Sequence, residues 1–320
     1  MYRQGNLATS SPFVPLCLRV RFVLLLLCVL AISSCQRGPC LVAFLSDFGL
    51  QTEAVGLCHG AMLREAPGVR IVDLTHQVEA YNIEHAARML ARATTFPRGT
   101  VFVAVVDPGV GTARLPIAIE TQRGYTFIAP DNGLLSEVIR TQGIAAAWRI
   151  DPTRVNAAWH PGTFDGRDLF SPAAAQLAAG RALDDIATPM AAGDVLIKDF
   201  PRGELGADGV IRGRYLRTDE PYGNIWTDID RATLEQAAIR PLMPAVGDAP
   251  TSAAATLLMV RIGAKEIDVP LVTTFGQVPE GAPLAYINSD ERLALALNMG
   301  DLRKALGVQE GDAVEIRRAR

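Results

Sequence analysis

Short apolar runs alternate with amphipathic stretches over the first half of the chain. Residues 41–46 and 100–106 are apolar runs with the length of buried strands, while residues 53–65 and 83–93 carry apolar positions at helical spacing. This alternation predicts an α/β domain with a mostly parallel sheet. Further strands are predicted at residues 69–74, 117–119 and 125–128, and a further helix at residues 172–179.

The pattern changes after about residue 192, where short apolar runs become separated by Gly, Asp and Pro. This spacing favours a smaller β-rich domain, and specifically a β-barrel. We therefore predict an α/β domain at residues 41–192 and a β-barrel domain at residues 193–320. The predicted strands of the second domain are residues 195–200, 210–216, 225–229, 257–262, 284–287, 293–297 and 313–316.

The first residues have the features of an export signal. Residues 22–32 read FVLLLLCVLAI and follow Arg19 and Arg21, and this run is shorter than the ~20 apolar residues that span a membrane. Residues 32–35, ISSC, resemble a bacterial lipobox, which implies cleavage before Cys35 and lipidation of its thiol.

We therefore predict a lipoprotein-type signal peptide at residues 1–34 and a linker at residues 35–40. The mature protein would be exported and anchored to the membrane, on the periplasmic side, by its lipid alone. The alternative is a misassigned start codon upstream of a cytoplasmic protein.

Composition and charge narrow the class of protein. The 320 residues include 31 Lys and Arg against 34 Asp and Glu, and the resulting net charge of −3 excludes a basic protein that coats nucleic acid. With 49% hydrophobic and 20% charged residues, the chain is globular rather than disordered, collagen-like or coiled-coil. Cys40 and Cys58 form no obvious disulfide pair, and a lone helical cysteine such as Cys58 is typically a small buried hydrophobe.

Acidic turns follow three of the predicted strands. Asp47 ends the first strand, Asp107 opens the turn DPGVGT, and Asp131 opens the turn DNG. Because ligands of open α/β sheets bind at the carboxyl ends of strands, these turns together indicate one polar cleft. The alternative is that each is an ordinary turn rich in Asp, Asn and Gly.

Several familiar motifs are missing from the sequence. It contains neither a GxxxxGK[ST] phosphate loop nor a GxSxG elbow, and residues 109–111 lack the third glycine of a dinucleotide fingerprint. The four histidines, at positions 59, 76, 85 and 160, match no familiar metal-ligand spacing. We therefore predict neither a metal nor a cofactor.

Six motifs, in order from about residue 41 to the C-terminus, resemble the S-adenosylmethionine (SAM) hydroxide adenosyltransferase family. These SAM hydrolases are related to the SAM-dependent fluorinases and chlorinases. The motifs are SDFG at 46–49, IVDLTH at 71–76, FPRGTVFVAVVDPGVGT at 96–112, APDNG at 129–133, TFDGRDLFSPAAA at 163–175 and YGNIWTDI at 222–229.

The resemblance implies a nucleoside-binding α/β domain, a C-terminal β-barrel, and a homotrimer. Its active sites would lie between the N-terminal domain of one subunit and the C-terminal domain of the next. Asp47 matches the position that holds the ribose hydroxyls, and Asp219 and Asn224 match polar residues that contact the substrate from the barrel. Trp226 and Asn298 match positions that complete the adenine side of the pocket.

The implied reaction is hydrolysis of SAM to adenosine and L-methionine, with no metal or redox cofactor. In the family's hydrolases an Asp, an Arg and a His hold and polarise the attacking water, and the first two match Asp107 and Arg114. The halogenating relatives carry Tyr in place of the Asp. A carboxylate at that place would repel a halide, which favours water as the nucleophile.

The third catalytic position departs from the family pattern. Where the family reads TFHGRD, this chain reads TFDGRD, so Asp165 stands in place of the histidine. Gly166 also lacks the hydroxyl that the fluorinases place there. One interpretation is that Asp165 acts as the general base or shares a proton with Asp107. Others are a slow enzyme, or His160 reaching in from its loop.

Two alternative functions stay open at this stage. One is SAM-dependent transfer to a halide such as chloride, which Asp107 disfavours. The other is a lipoprotein that binds a nucleoside or SAM without turnover. Export favours this second alternative, because SAM is a cytoplasmic metabolite.

Overall fold

The computed structural model describes residues 40–93, 95–241 and 255–319 of the chain. These residues form two compact units, of which the first ends at Lys198 and the second begins at Asp199. The predicted division after residue 192 lies a few residues earlier. The predicted signal peptide at 1–34, the predicted lipidation site Cys35 and most of the predicted linker lie outside the described residues. No helix within the described ranges is long and apolar enough to cross a membrane.

The first unit is built on one seven-stranded sheet. Five of its strands come from the predicted apolar runs, and the last two in chain order were not predicted from the sequence pattern. The strands are β1 (Leu41–Ser46), β2 (Arg70–Thr75), β3 (Val101–Val105), β4 (Pro116–Thr121), β5 (Thr126–Pro130), β6 (Ile144–Ile150) and β7 (Ala187–Met190).

Helices connect and cover these strands. Asn82 begins the second helix by accepting the backbone N–H of His85, and Pro172 occupies the first turn of the fifth. The helices are α1 (Ala54–Glu65), α2 (Ile83–Ala91), α3 (Ser136–Gln142), α4 (Pro152–Val155), a π-helix (Gly166–Phe170), α5 (Ser171–Ala178) and α6 (Leu183–Ile186).

The sheet is parallel on one side and antiparallel on the other. The strand order is β2-β1-β3-β5-β4-β6-β7, and the first four strands in this order are parallel to one another. The pairs β5–β4, β4–β6 and β6–β7 are antiparallel, so the prediction of a mostly parallel sheet holds for one half only. The short turn between β4 and β5 leaves no room for the crossover that parallel strands need, which is why these two strands are antiparallel.

The core of this unit lies on both faces of the sheet. Along β1, Val42 and Phe44 pack into one apolar cluster, and Ala43 and Leu45 pack into the other. A strand buried on both faces has no polar side, which is why its sequence is a continuous apolar run.

The second unit is a β-barrel. Its strands are β8 (Glu204–Leu205), β9 (Ile211–Asp219), β10 (Asn224–Asp230), β11 (Thr256–Ile262), β12 (Lys265–Leu271), β13 (Pro283–Ile287), β14 (Arg292–Leu297) and β15 (Ala313–Arg318), with helices α7 (Arg231–Gln236) and α8 (Leu302–Leu306). The order β10-β14-β13-β12-β11-β15-β9 closes through the pair β9–β10, and β8 adds to the edge of β9. The predicted barrel is therefore confirmed, with seven strands in the closed ring.

One predicted strand is wrong. Residues 195–200 form no ladder, because side chains take up their backbone donors: Asp131 Oδ1 accepts the N–H of Leu196, and Ser136 Oγ accepts the N–H of Lys198. The strands β6, β7, β8 and β12 were not predicted. The Ala-rich run of β6 and the charges and Pro270 of β12 hide the usual strand signal.

Candidate active site

Side chains from two neighbouring parallel strands meet at one pocket of the first unit. Ser46 at the end of β1 lies opposite Val105 at the end of β3, so Asp47 and Asp107, which follow these strands, share one edge of the sheet. The pocket has a volume of about 260 Å³. It is lined by Asp47, Phe48, Ala80, Tyr81, Val105, Asp107, Val110, Thr163, Phe164, Asp165 and Gly166.

The loop after β3 brings an arginine back to the acidic residue that begins the loop. Backbone bonds from Val110 N–H to the carbonyl of Asp107, and from Thr112 N–H to the carbonyl of Gly109, fold the segment into successive turns. Arg114 Nε and Nη2 then donate to Asp107 Oδ2, at 2.8 and 2.5 Å.

Arg114 also binds the third predicted catalytic residue. Its Nη2 donates to Asp165 Oδ2 at 2.6 Å, and its guanidinium carbon lies 5.1 Å from the centre of the Phe170 ring. All three polar side chains are about nine-tenths buried. Burial alone would lower the pKa of Arg114, but the hydrogen bonds and charges of the two carboxylates outweigh it and raise that pKa. Arg114 therefore stays cationic and holds Asp107 and Asp165 together.

One oxygen of Asp107 is left without a donor. Oδ2 accepts both bonds from Arg114, whereas Oδ1 is buried and has no hydrogen-bond partner among the described residues. Buried acceptors of this kind are uncommon and mark places where a ligand or water binds. Asp107 also lines the pocket.

Asp165 precedes an irregular helix. It is 7% exposed and stands immediately before the π-helix. Such helices are rare in proteins as a whole, but those that occur are often at functional sites. A Cβ on the next residue, Gly166, would lie 2.7 Å from the ring of Phe48, so the absence of a side chain there lets this ring pack against the backbone. The ring of Phe164 packs edge-on against Phe48 at 5.6 Å.

The ribose-binding candidate Asp47 lines the same pocket. Its Oδ2 accepts the backbone N–H of Tyr81 at 2.9 Å, which fixes the carboxylate against the segment before α2. The structure thus brings Asp47, Asp107, Arg114 and Asp165 together, as the sequence predicted.

Two sequence-based candidates lie elsewhere. Asp131, expected in the same cleft, does not line this pocket but binds Leu196, and burial raises its pKa despite that hydrogen bond. His160 is exposed and also lies outside the pocket lining, so the alternative in which it reaches in is not supported.

The second unit carries its own pocket, of about 700 Å³. Asp219, Asn224 and Asn298 line it, and Asn224 Nδ2 donates to Asp219 Oδ2 at 3.1 Å. Asn298 Nδ2 donates to the carbonyl of Val278 at 2.9 Å. The remaining lining residues are Pro221, Tyr222, Phe275, Tyr286, Leu297, Met299, Gly300, Asp301 and Lys304.

Trp226 and Tyr286 differ from expectation. Trp226 is 8% exposed and is not among the lining residues, and its ring lies under the guanidinium of Arg217 at 4.0 Å. Its adenine-side role stays a prediction. Tyr286, which sequence reasoning missed, lines the pocket, and burial raises its pKa to about 12, with the charge of Asp219 adding to the effect. Its only sequence signal was a polar hydroxyl within a predicted strand.

Comparison with known proteins identifies the family. The model of the SAM hydroxide adenosyltransferase N-terminal domain matches residues 42–187, and that of the C-terminal domain matches residues 213–315. A protein named (R)-S-adenosyl-L-methionine hydrolase from Thermus thermophilus is 35% identical, over 86% of this chain and 98% of its own length. A protein named fluorinase from Actinoplanes sp. is 31% identical, over 88% of this chain and 99% of its own length.

Solved structures agree with this result. An uncharacterised conserved protein from Thermotoga maritima superposes with a TM-score of 0.76 at 32% identity, covering 87% of this chain and all of that one. Both domain models, the relatives and the fold lead to one conclusion: this chain belongs to the SAM hydroxide adenosyltransferase family, whose members are enzymes that act on SAM.

Proposed function

We propose that this protein hydrolyses SAM to adenosine and L-methionine by attack of an oriented water at C5′ of the ribose. The supporting observation is the asymmetry of Asp107: Arg114 holds one carboxylate oxygen, and the other is a buried acceptor without a donor. A water that donates to this oxygen is fixed in place and keeps its lone pairs free for carbon.

The step is balanced without a cofactor. The oxygen of water forms a bond to C5′ while the bond from C5′ to sulfur breaks, and both electrons of the broken bond stay on sulfur. The positive sulfonium thereby becomes the neutral thioether of methionine. The water's proton passes to a carboxylate, for which Asp107 and Asp165 are the candidates.

Asp165 is proposed as the substitute for the family histidine. Its Oδ2 lies 2.6 Å from Arg114 Nη2, so the arginine sets the position of this carboxylate as it sets that of Asp107. Two carboxylates around one guanidinium give the site a net negative charge. That charge suits a cationic sulfonium and a proton-donating water.

The same features disfavour a halide as nucleophile. A chloride or fluoride ion in this pocket would face the carboxylates of Asp107 and Asp165. A hydroxyl donor on residue 166 would also require the Phe48 ring to move, because a Cβ there would lie 2.7 Å from it.

We further propose that Asp47 binds the ribose hydroxyls and that Asp219, Asn224, Trp226 and Asn298 contact the substrate from the barrel of a neighbouring subunit. At about 260 Å³, the pocket of the first unit is slightly smaller than typical ligand pockets of ~300–1,000 Å³, which supports a role for a second surface in enclosing the substrate. A homotrimer would supply it. Light scattering that gives the mass of one chain would contradict this assembly.

Export and lipidation at Cys35 are likewise proposals, supported by the order of arginines, apolar run and cysteine in the sequence. Fractionation of cells should place the protein in the membrane fraction. The variant Cys35→Ser should lose the lipid. Equal incorporation of a lipid label into the unchanged protein and into Cys35→Ser would exclude lipidation at this thiol.

The catalytic assignment is tested by Asp107→Asn. We expect kcat to fall by roughly 10²- to 10⁴-fold, because the water loses its acceptor and an acid–base group, while the affinity for adenosine stays nearly unchanged. Asp194→Asn, on the exposed surface of the same unit, is the matched control and should keep full activity. An equal loss of turnover and adenosine binding in Asp107→Asn would exclude the proposed role.

A further inference from the structure

Three potential metal ligands meet in the first unit, outside the pocket described above. His59 lies on α1, Asp73 on β2, and His76 directly follows β2. One ligand atom from each lies within 4.8 Å of the other two. Asp73 Oδ1 is 2.9 Å from His59 Nε2 and 3.0 Å from His76 Nε2.

The buried ring of His76 is oriented for metal binding. Its Nδ1 lies 2.7 Å from the hydroxyl of Ser46, which also accepts the backbone N–H of Phe48. A proton on Nδ1 that is donated to Ser46 leaves Nε2 as the ring atom with a free lone pair. This is the second-shell contact that fixes the tautomer of metal-binding histidines.

The contact between His76 Nε2 and Asp73 is not a hydrogen bond. Although the two atoms are 3.0 Å apart, Nε2 is buried without a hydrogen-bond partner among the described residues, and His76 is only 3% exposed. Two potential metal-ligand atoms that lie close together without pointing at each other are the arrangement expected when both point at a shared ion. A simple ion pair explains the bond from His59 to Asp73, but it does not explain why His76 Nε2 is buried without a hydrogen-bond partner among the described residues.

The donor set and spacing suit zinc. Two imidazole nitrogens and one carboxylate oxygen are common Zn²⁺ ligands, and bonds of ~2.0–2.1 Å in a tetrahedron place adjacent ligand atoms ~3.3 Å apart. The measured 2.9 and 3.0 Å are a few tenths of an ångström shorter, within reach of small side-chain rotations. Asp73 and His59 are partly exposed, so solvent can reach a fourth coordination position.

The neighbouring cysteine is not a fourth ligand. Cys58 is fully buried in the core, and burial raises its pKa to about 11. Its Sγ is not among the ligand atoms that lie within 4.8 Å of one another in this cluster.

We propose that His59, Asp73 and His76 form a three-ligand site for a divalent transition-metal ion, represented by Zn²⁺, with water in the fourth position. The proposed site contacts the loop that carries Asp47. Ser46 binds the His76 ring, and the carbonyl of His76 accepts the N–H of Gly49 at 2.7 Å. A bound ion would therefore stabilise this loop from outside the pocket.

Binding can be measured on the whole chain, independently of any activity. After treatment with a chelator, titration calorimetry with zinc chloride should show one saturable site per chain, and cobalt should give the intense visible absorption of tetrahedral coordination. His59→Ala and Asp73→Asn should abolish both signals. Ser46→Ala should weaken the affinity for zinc by about 10- to 100-fold through loss of the second-shell contact.

His160→Ala, which removes an exposed histidine of the same unit, is the matched control and should bind zinc as the unchanged protein does. His59 is partly exposed on a helix, so His59→Ala should fold, and thermal unfolding without metal checks this. The proposal is wrong if the unchanged protein shows no saturable zinc binding. It is equally wrong if folded His59→Ala binds as tightly as His160→Ala.

Discussion

A single arginine organises the candidate active site at the scale of residues. Arg114 donates to both Asp107 and Asp165 while nine-tenths of its side chain is buried. Removing one partner of a buried ion pair typically costs ~3–5 kcal/mol, because a charge is left uncompensated. Loss of Arg114 would leave two buried carboxylates without a counter-charge, whereas loss of either carboxylate leaves Arg114 paired with the other. The carboxylates are therefore the better positions to test.

Asp165→His tests whether Asp165 fills the role of the family histidine. We expect this variant to keep or raise kcat, because an imidazole beside Arg114 restores the residue that the family's hydrolases carry. Steady-state rates of adenosine formation measure the effect, and Asp165→Ala, which offers no proton acceptor, should be slower than either. A collapse of activity in Asp165→His would instead make the carboxylate itself essential.

Gly166→Ser tests the packing beside the nucleophile site. The new Cβ would lie 2.7 Å from the Phe48 ring, so we expect this ring to move into the pocket and raise KM for SAM. Gly193→Ser is the control, since a Cβ there meets nothing within 4 Å. A normal KM together with chloride-dependent product in Gly166→Ser would contradict our argument against a halide.

The sequence was informative about residues that lie in motifs and silent about residues that meet only through folding. Asp47, Asp107, Arg114 and Asp165 were all predicted and share one site. The metal candidates were dismissed on spacing. They meet because folding brings His59 on α1 to Asp73 on β2 and to His76, which linear spacing does not reveal.

At the scale of elements, the turn between β9 and β10 positions the pocket of the barrel. It joins Asp219 to Asn224, and Gly223 within it has a φ of +69°, a conformation that side chains disfavour. A Cβ on Gly223 would lie 2.1 Å from the carboxyl carbon of Asp301, which begins α8 by accepting the N–H of Lys304. The turn and the helix therefore depend on the absence of this side chain.

Gly223→Ala should destabilise the barrel more than a matched glycine substitution does. Gly209→Ala, with a φ of +75° and open space around it, should cost only the ~1–2 kcal/mol of backbone strain. Gly223→Ala should cost about 1–3 kcal/mol more, because it also clashes with Asp301. Denaturant unfolding measures the free energy of unfolding of both variants. Equal losses of stability would show that the clash is relieved without cost.

Element prediction succeeded where burial imposes a pattern and failed where local chemistry overrides it. β1 and β3 are buried on both faces and read as unbroken apolar runs. Residues 195–200 read VLIKDF and begin with a similar apolar run, yet Asp131 and Ser136 take backbone donors of this segment and no strand forms. The antiparallel pairing of β4 with β5 follows from the short turn between them, which the apolar pattern does not encode.

At the scale of the whole molecule, the family is established and the reaction is proposed. The relatives include proteins named for hydrolysis and proteins named for fluorination, at 35% and 31% identity, so similarity alone does not choose between water and halide. The choice rests on Asp107, Asp165 and the space around Gly166.

The most direct measurement is the product of SAM. The purified protein is incubated with SAM in water enriched in heavy oxygen, with and without chloride, and the products are separated by liquid chromatography with mass detection. We predict adenosine and methionine in both buffers, with the heavy label in the 5′ hydroxyl of adenosine. A chlorinated nucleoside, unlabelled adenosine, or SAM that is bound but never cleaved would contradict hydrolysis at C5′.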